Sequence, residues 1–127
     1  MYLVDTNILI WIIRGAEPYV RWFEDLKGGT LLSLSTITVA EIHTNIFPEE
    51  LIKTEQFINQ FDIWDVTTTI AKQGGLYWQQ YSKQLKNLNI LDCIIAATAK
   101  EHDLTLLTLN TRHFPMKNIR VMNPLKK

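Results

Sequence analysis

The sequence predicts an α/β fold, a three-layer sandwich whose central parallel sheet of four to five strands is covered by helices. Short apolar runs alternate along the chain with segments of helical period, the pattern of repeated strand–helix–strand units. Three acids, Asp5, Glu41 and Asp92, each stand where an apolar run meets a helix start. Parallel strands would gather them at one edge of the sheet, where open α/β sheets bind ligands. With 127 residues, 46% of them apolar, the chain suffices for one core and is too short for two ordinary domains. Residues 1–127 are therefore expected to form a single domain.

The elements follow in order. Tyr2-Leu-Val reads as a short buried strand, and Asn7 to Arg14 as a helix ended by Gly15. Pro18 suits a first helical position, opening a second helix that stops at Gly28-Gly29. Leu31-Leu-Ser-Leu is the next strand, followed by the helix carrying Glu41. Pro48-Glu49-Glu50 opens another helix with acids in its first turn, matching the helix dipole. Phe61 to Val66 alternates as a third strand. Ile70, Gly74, Tyr77, Tyr81, Leu85 and Leu88 recur at three- and four-residue steps, marking a long amphipathic helix. Gly74-Gly75 inside it costs about 1 kcal/mol per glycine relative to alanine, so a close backbone contact or a break is expected there. The Asp92 helix, a strand over Leu104 to Thr108 and a last strand around Arg120-Val-Met complete the chain.

Charge and cysteine usage narrow the function. Thirteen basic residues balance thirteen acidic ones, so tight nucleic-acid binding by overall charge is not expected. A local patch, a metal or shape must supply any such grip. Cys93 is the only cysteine, which excludes an internal disulfide and fits a reducing cytoplasm. The densest apolar run, Ile8 to Ile13, has six residues, against roughly 20 needed to span a bilayer. The expectation is a cytoplasmic protein without a membrane span. That same run makes the first helix apolar on every face, so it must be covered twice, by the second helix, a dimer mate or a partner.

Crowded carboxylates repel one another, and a hard divalent cation is the usual reason to tolerate them. Each acid also has a purely structural reading. Asp5 suits a helix N-cap. Glu41 stands three residues after Thr38, and Asp92 three after Asn89, the spacing of a capping box.

Four motifs in register carry a family resemblance: Val4-Asp-Thr-Asn-Ile-Leu9, Ser35-x-x-Thr38-x-x-Glu41, Leu91-Asp-Cys-Ile-Ile-Ala-Ala-Thr-Ala99 and Thr108-Leu-Asn-Thr-Arg-His-Phe114. They resemble the PIN-domain ribonucleases, and most of all the VapC-type toxins of toxin–antitoxin pairs. The resemblance implies a PIN-like fold and a metal-dependent endoribonuclease leaving 5′-phosphate and 3′-hydroxyl ends. Asp5, Glu41 and Asp92 would be its catalytic acids and hold Mg²⁺ or Mn²⁺, with Thr6, Asn7, Ser35, Thr38 and Thr108 in support. Many family members carry a further acid in the fourth motif. Here the polar residues are Thr108, Asn110 and His113; Asn110 offers a neutral oxygen to a metal, and His113 an outer or surface group. Three carboxylates serve one metal, and a second has less to bind it.

Arg112 is the basic residue its motif sets nearest the acids, ahead of Arg14, Lys72, Lys83 and Lys86; Trp78 or Tyr81 would stack a base. The resemblance also implies a cognate antitoxin, whose apolar segment would dock near Trp11 and Trp22, and a homodimer in its absence. A catalytically decayed PIN-like binding module is the alternative. An aspartyl-phosphate phosphatase is disfavoured, because it needs a second aspartate where Asn7 stands.

Overall fold

The structure, a computed structural model, describes residues 1–26 and 31–126. Five strands form one sheet in the order β3-β2-β1-β4-β5, all parallel. They are β1 (Tyr2–Val4), β2 (Leu32–Ser35), β3 (Asp62–Trp64), β4 (Thr105–Leu107) and β5 (Arg120–Met122). Six α-helices connect them among the described residues: α1 (Thr6–Ile13), α2 (Glu17–Leu26), α3 (Thr36–His43), α4 (Leu51–Ile58), α5 (Thr68–Tyr81) and α6 (Ile90–Glu101). None is long and apolar enough to cross a membrane.

Strand alternation sorts the apolar side chains into two cores, one on each face of the sheet. Leu3 and Leu106 point to the face covered by α5 and α6, where Ile70, Tyr77, Cys93 and Ile95 are buried. Val4, Leu34 and Leu107 point to the other face, against Ile8 and Leu9 of α1, Phe23 of α2, Ile42 of α3 and Ile58 of α4. This is the expected three-layer arrangement. The chain builds outward from β1 through β2 to β3, then crosses back to place β4 on the other side of β1. The reversal opens a crevice between the carboxyl ends of β1 and β4, the place where such sheets receive ligands.

Several boundaries depart from the sequence reading. Helix α2 begins at Glu17, with Pro18 its second residue; the expected stop at Gly28-Gly29 lies outside the described residues. Pro48–Glu50 forms one 3₁₀ turn before α4, and Glu50 accepts a hydrogen bond from the Phe47 N–H at 2.8 Å. The third strand is shorter than Phe61 to Val66 because it is the sheet edge, paired on one side only.

The long helix ends at Tyr81, not Leu88. Leu88 is still buried and Leu85 still packs on the same core, so the apolar period continued through a turn that mimics helical spacing. Gly15 ends α1 as expected. Its φ of 79° is the left-handed conformation of a helix C-cap motif. The Gly15 and Ala16 N–H groups donate back to the carbonyls of Ile12 and Trp11.

Gly74 is the close approach that its sequence suggested. A Cβ there would lie 2.8 Å from Ile94 Cγ1 and 3.1 Å from Ile94 Cα, so its absence lets α5 lie against α6. Gly75 faces open space. Helix α1 is covered twice for most of its surface, by the sheet through Ile8 and Leu9 and by α2, whose Tyr19 stacks on Trp11 at 6.1 Å. Trp11 remains 49% exposed, and Trp22 packs at the margin of the core. Tyr81 is buried, which corrects its reading as a base-stacking group; Trp78 is exposed.

Candidate active site

The three acids meet at the crevice. Asp5, Glu41 and Asp92 line one polar cleft of about 230 Å³, together with Thr6, Asn7, Asn110 and His113. Asp5 reaches it from the end of β1, Glu41 from the last turn of α3, Asp92 from the first turn of α6 and Asn110 from the segment after β4.

Asp5 is both cap and site residue. It is the N-cap of α1, and its Oδ1 accepts from the Thr6 N–H at 2.8 Å. Its Oδ2 accepts from Thr108 Oγ1 at 2.8 Å, so residues just beyond the ends of the adjacent strands β1 and β4 grip one carboxylate. Only 6% of Asp5 is exposed. Burial pushes its pKa up, while the Thr108 and Thr6 hydrogen bonds and the charge of His113 hold it back.

Thr6 then joins two acids. Its hydroxyl donates to Glu41 Oε1 at 2.6 Å, across 35 positions of sequence. Glu41 closes no capping box, because the N-cap of α3 is Ser35, whose Oγ accepts from the Ile37 N–H at 3.1 Å. Thr38 is wholly buried, and among the described residues its hydroxyl has no hydrogen-bond partner. Ser35 caps α3 and Thr38 is buried within it; neither is among the residues lining the cleft.

Asp92 stands apart. Asn89 caps α6 by accepting from the Leu91 N–H at 2.8 Å, but among the described residues no hydrogen bond reaches the Asp92 carboxylate. Burial raises its pKa to about 6, helped by the negative charges of Asp5 and Glu41 and opposed by His113. A half-buried carboxylate with two negative neighbours and no hydrogen bond among the described residues gains from a cation.

Sequence reasoning missed three cleft residues, Ile10, Thr44 and Asn45. The Thr44 hydroxyl and the Asn45 amide both donate to the Glu41 carbonyl, at 2.7 and 2.9 Å. Their positions three and four after Glu41 were the available signal, since helical neighbours share a face. Arg14 does not line the cleft but is tied to its margin, donating to the Asn45 carbonyl at 2.6 Å.

The residues suit a hard cation. Among the described residues no three His, Cys, Asp or Glu side chains form a ready-made cage. A hard cation such as Mg²⁺ takes one or two carboxylates and keeps several waters, so it does not require such a cage. The donors on offer are carboxylate oxygens and the Asn110 amide.

A PIN-domain family model matches residues 2–119. The chain belongs to the PIN-domain family. Among its PIN-domain relatives, Ribonuclease VapC10 of Mycobacterium tuberculosis is 31% identical, over 91% of this chain and 87% of the relative. The tRNA(fMet)-specific endonuclease VapC of Shigella flexneri is 28% identical over 89% of each. A toxin–antitoxin complex from Klebsiella pneumoniae contains a chain that superposes with a TM-score of 0.80 at 27% identity, covering 100% of both chains.

Proposed function

We infer that this PIN-domain protein is a metal-dependent endoribonuclease acting as the toxin of a toxin–antitoxin pair. The observation that carries the chemistry is the convergence of Asp5, Glu41 and Asp92 on one cleft at the carboxyl edge of the sheet. The names of its relatives support RNA as the substrate, and its likeness to a chain in a toxin–antitoxin complex supports an antitoxin partner.

Asp5, Asp92 and Glu41 would hold Mg²⁺ or Mn²⁺, with the Asn110 oxygen a further donor. Such an ion polarises a phosphate and lowers the pKa of a water for in-line attack. The protein's part is placement. Thr108 and the Thr6 N–H lock the Asp5 carboxylate, and the Thr6 hydroxyl aims Glu41 toward the same point. One threonine thus sets the spacing of two acids before substrate arrives, lowering the reorganisation needed on binding. Asp92, which accepts no hydrogen bond among the described residues, would close the set. All three acids face one cleft, which argues against a decayed binding module.

We place the protein in the cytoplasm as one domain and as a homodimer when no antitoxin is present. An apolar groove of about 270 Å³ between α1 and α4, lined by Ile12, Ile13, Val20 and Phe57, follows Trp11 along α1 and fits an apolar antitoxin segment. Trp22 lines a different, smaller cleft beside Tyr2 and Met122.

The test is incubation with structured RNA and Mg²⁺, with and without EDTA, and mass analysis of the new ends. Cleavage leaving 5′-phosphates that stops on chelation is expected. Cleavage that survives EDTA would overturn the metal role.

A further inference from the structure

Beside the acid cleft lies one of opposite sign. Its volume is about 200 Å³, and it is lined by Leu109, Asn110, Thr111, Arg112, His113 and Lys126. Asn110 and His113 line both clefts, so the two are adjacent, and no acid among the described residues lines the second. We propose that this second cleft is a phosphate subsite, in which Arg112 and Lys126 hold a backbone phosphate of the RNA strand next to the bond being cut. The proposal rests on the ribonuclease reading and deepens it; Lys126 is its new element.

Its cations are uncommitted. Arg14, Arg21 and Arg120 are tied to protein oxygens, whereas neither Arg112 nor Lys126 has a side-chain hydrogen bond or ion pair among the described residues. Nor is Arg112 on a loose loop. Its turn, Thr111–His113, is pinned at one end by the Asn110 N–H, which donates to Thr108 Oγ1 at 3.1 Å. That hydroxyl itself donates to Asp5 Oδ2. The other end is anchored by buried Phe114, whose N–H donates to the Thr111 carbonyl at 3.1 Å. The offset between the cation and the acid site is thereby built into the backbone.

Lys126 arrives by a separate route. Strand β5 pairs in parallel with β4, Leu107 beside Met122, so the segment after β5 emerges at the same sheet edge. There the Asn123 side chain accepts from the Leu125 N–H at 3.0 Å and turns the chain. The energetic need is plain. The whole chain has a formal net charge of zero, and a cleft of three carboxylates repels a polyanion. Attraction for RNA must come from cations placed locally.

Binding of a short fluorescein-labelled single-stranded RNA, followed by anisotropy in EDTA across a KCl series, tests this. Arg112→Gln and Lys126→Gln should each weaken binding several-fold and flatten the plot of log affinity against log salt by about 0.7 per cation removed. Arg112→Lys should retain most of the slope. Lys100→Gln, at the far end of α6 from Asp92, should change neither. In cleavage of the same RNA with Mg²⁺, the two glutamine variants should raise KM more than they lower kcat.

An unchanged salt slope in the double variant, with wild type still cutting RNA, overturns the subsite alone. A wild type that neither binds nor cuts RNA overturns the subsite together with the ribonuclease reading.

Discussion

Asp5 and Asp92 are both aspartates of one cleft, yet their surroundings assign them opposite effects on stability. Asp5 accepts two buried hydrogen bonds, and Asp5→Ala would leave the Thr108 hydroxyl and the Thr6 N–H unpaired. Loss of a cap and of a buried partner should cost about 1–3 kcal/mol in urea denaturation without metal. Asp92 accepts none and carries the repulsion of its neighbours, so Asp92→Asn should melt at an equal or higher temperature in EDTA. A variant that melts lower would mean that Asp92 is a structural cap after all. The sign with pH follows from the same cause. The folded protein holds the Asp92 proton up to about pH 6, above the ordinary 3.8, so the native state binds that proton more tightly than the unfolded chain. The penalty of the charged form is full above about 6 and fades toward 3.8. The deficit of wild type relative to Asp92→Asn should therefore close as pH falls through that window in EDTA. A deficit that widens on acidification would contradict the placement.

At the scale of elements, the contact between α5 and α6 fixes where Asp92 stands. Gly74 permits that contact and Gly75 has no part in it, so adjacent alanine substitutions should differ in sign. Gly74→Ala sets a methyl against the Ile94 backbone and side chain, and overpacking of this kind costs about 1–3 kcal/mol. That exceeds the roughly 1 kcal/mol of helix propensity gained. Gly75→Ala meets nothing within 4 Å and should stabilise by up to about 1 kcal/mol. Thermal melts of both variants check the pair, and RNA cleavage should fall in Gly74→Ala alone, because the shift moves α6 and its acid. Equal melting temperatures would show that α6 yields without cost.

Over the whole molecule, the acids and the exposed apolar surface make separate demands. The proposed cation is a ligand that binds only the folded state, and such a ligand adds about 2.7 kcal/mol at one hundred times its dissociation constant. Wild type should gain melting temperature with Mn²⁺ or Mg²⁺, Asp92→Asn should gain little, and the gain should fade below about pH 6 as Asp92 takes up its proton. A full metal response in the variant would remove Asp92 from the ligand set. The apolar surface calls for cover. Trp11, Phe47, Leu76, Trp78 and Ile90 are all exposed, and sedimentation velocity of the protein alone should give twice the mass of one chain. A monomer at micromolar concentration would count against the dimer.

Much of this was legible in the residues. Alternating strand and helix periods implied the parallel three-layer sheet, and acids placed where apolar runs meet helix starts implied a shared edge. Asp5 does follow a strand directly, whereas Glu41 stands within α3 and Asp92 in the first turn of α6. These features are local, and a parallel sheet converts local order into a common edge without further information. Gly74-Gly75 announced a close contact for the same reason, since two glycines inside a helix cost stability that something else must offset. What lay outside the sequence depended on partners far along the chain. Asn89 caps α6 as its spacing suggested. Glu41, by contrast, had capping-box spacing from Thr38, and only the packed structure shows Ser35 doing that capping while Glu41 is met by Thr6. The apolar period ran on to Leu88, although the helix stops at Tyr81, because burial sets the period and a turn can continue it. Lys126 carried no motif at all. Its place beside Arg112 comes from the pairing of β5 with β4, and strand order is decided by how the two cores close, which no single segment encodes.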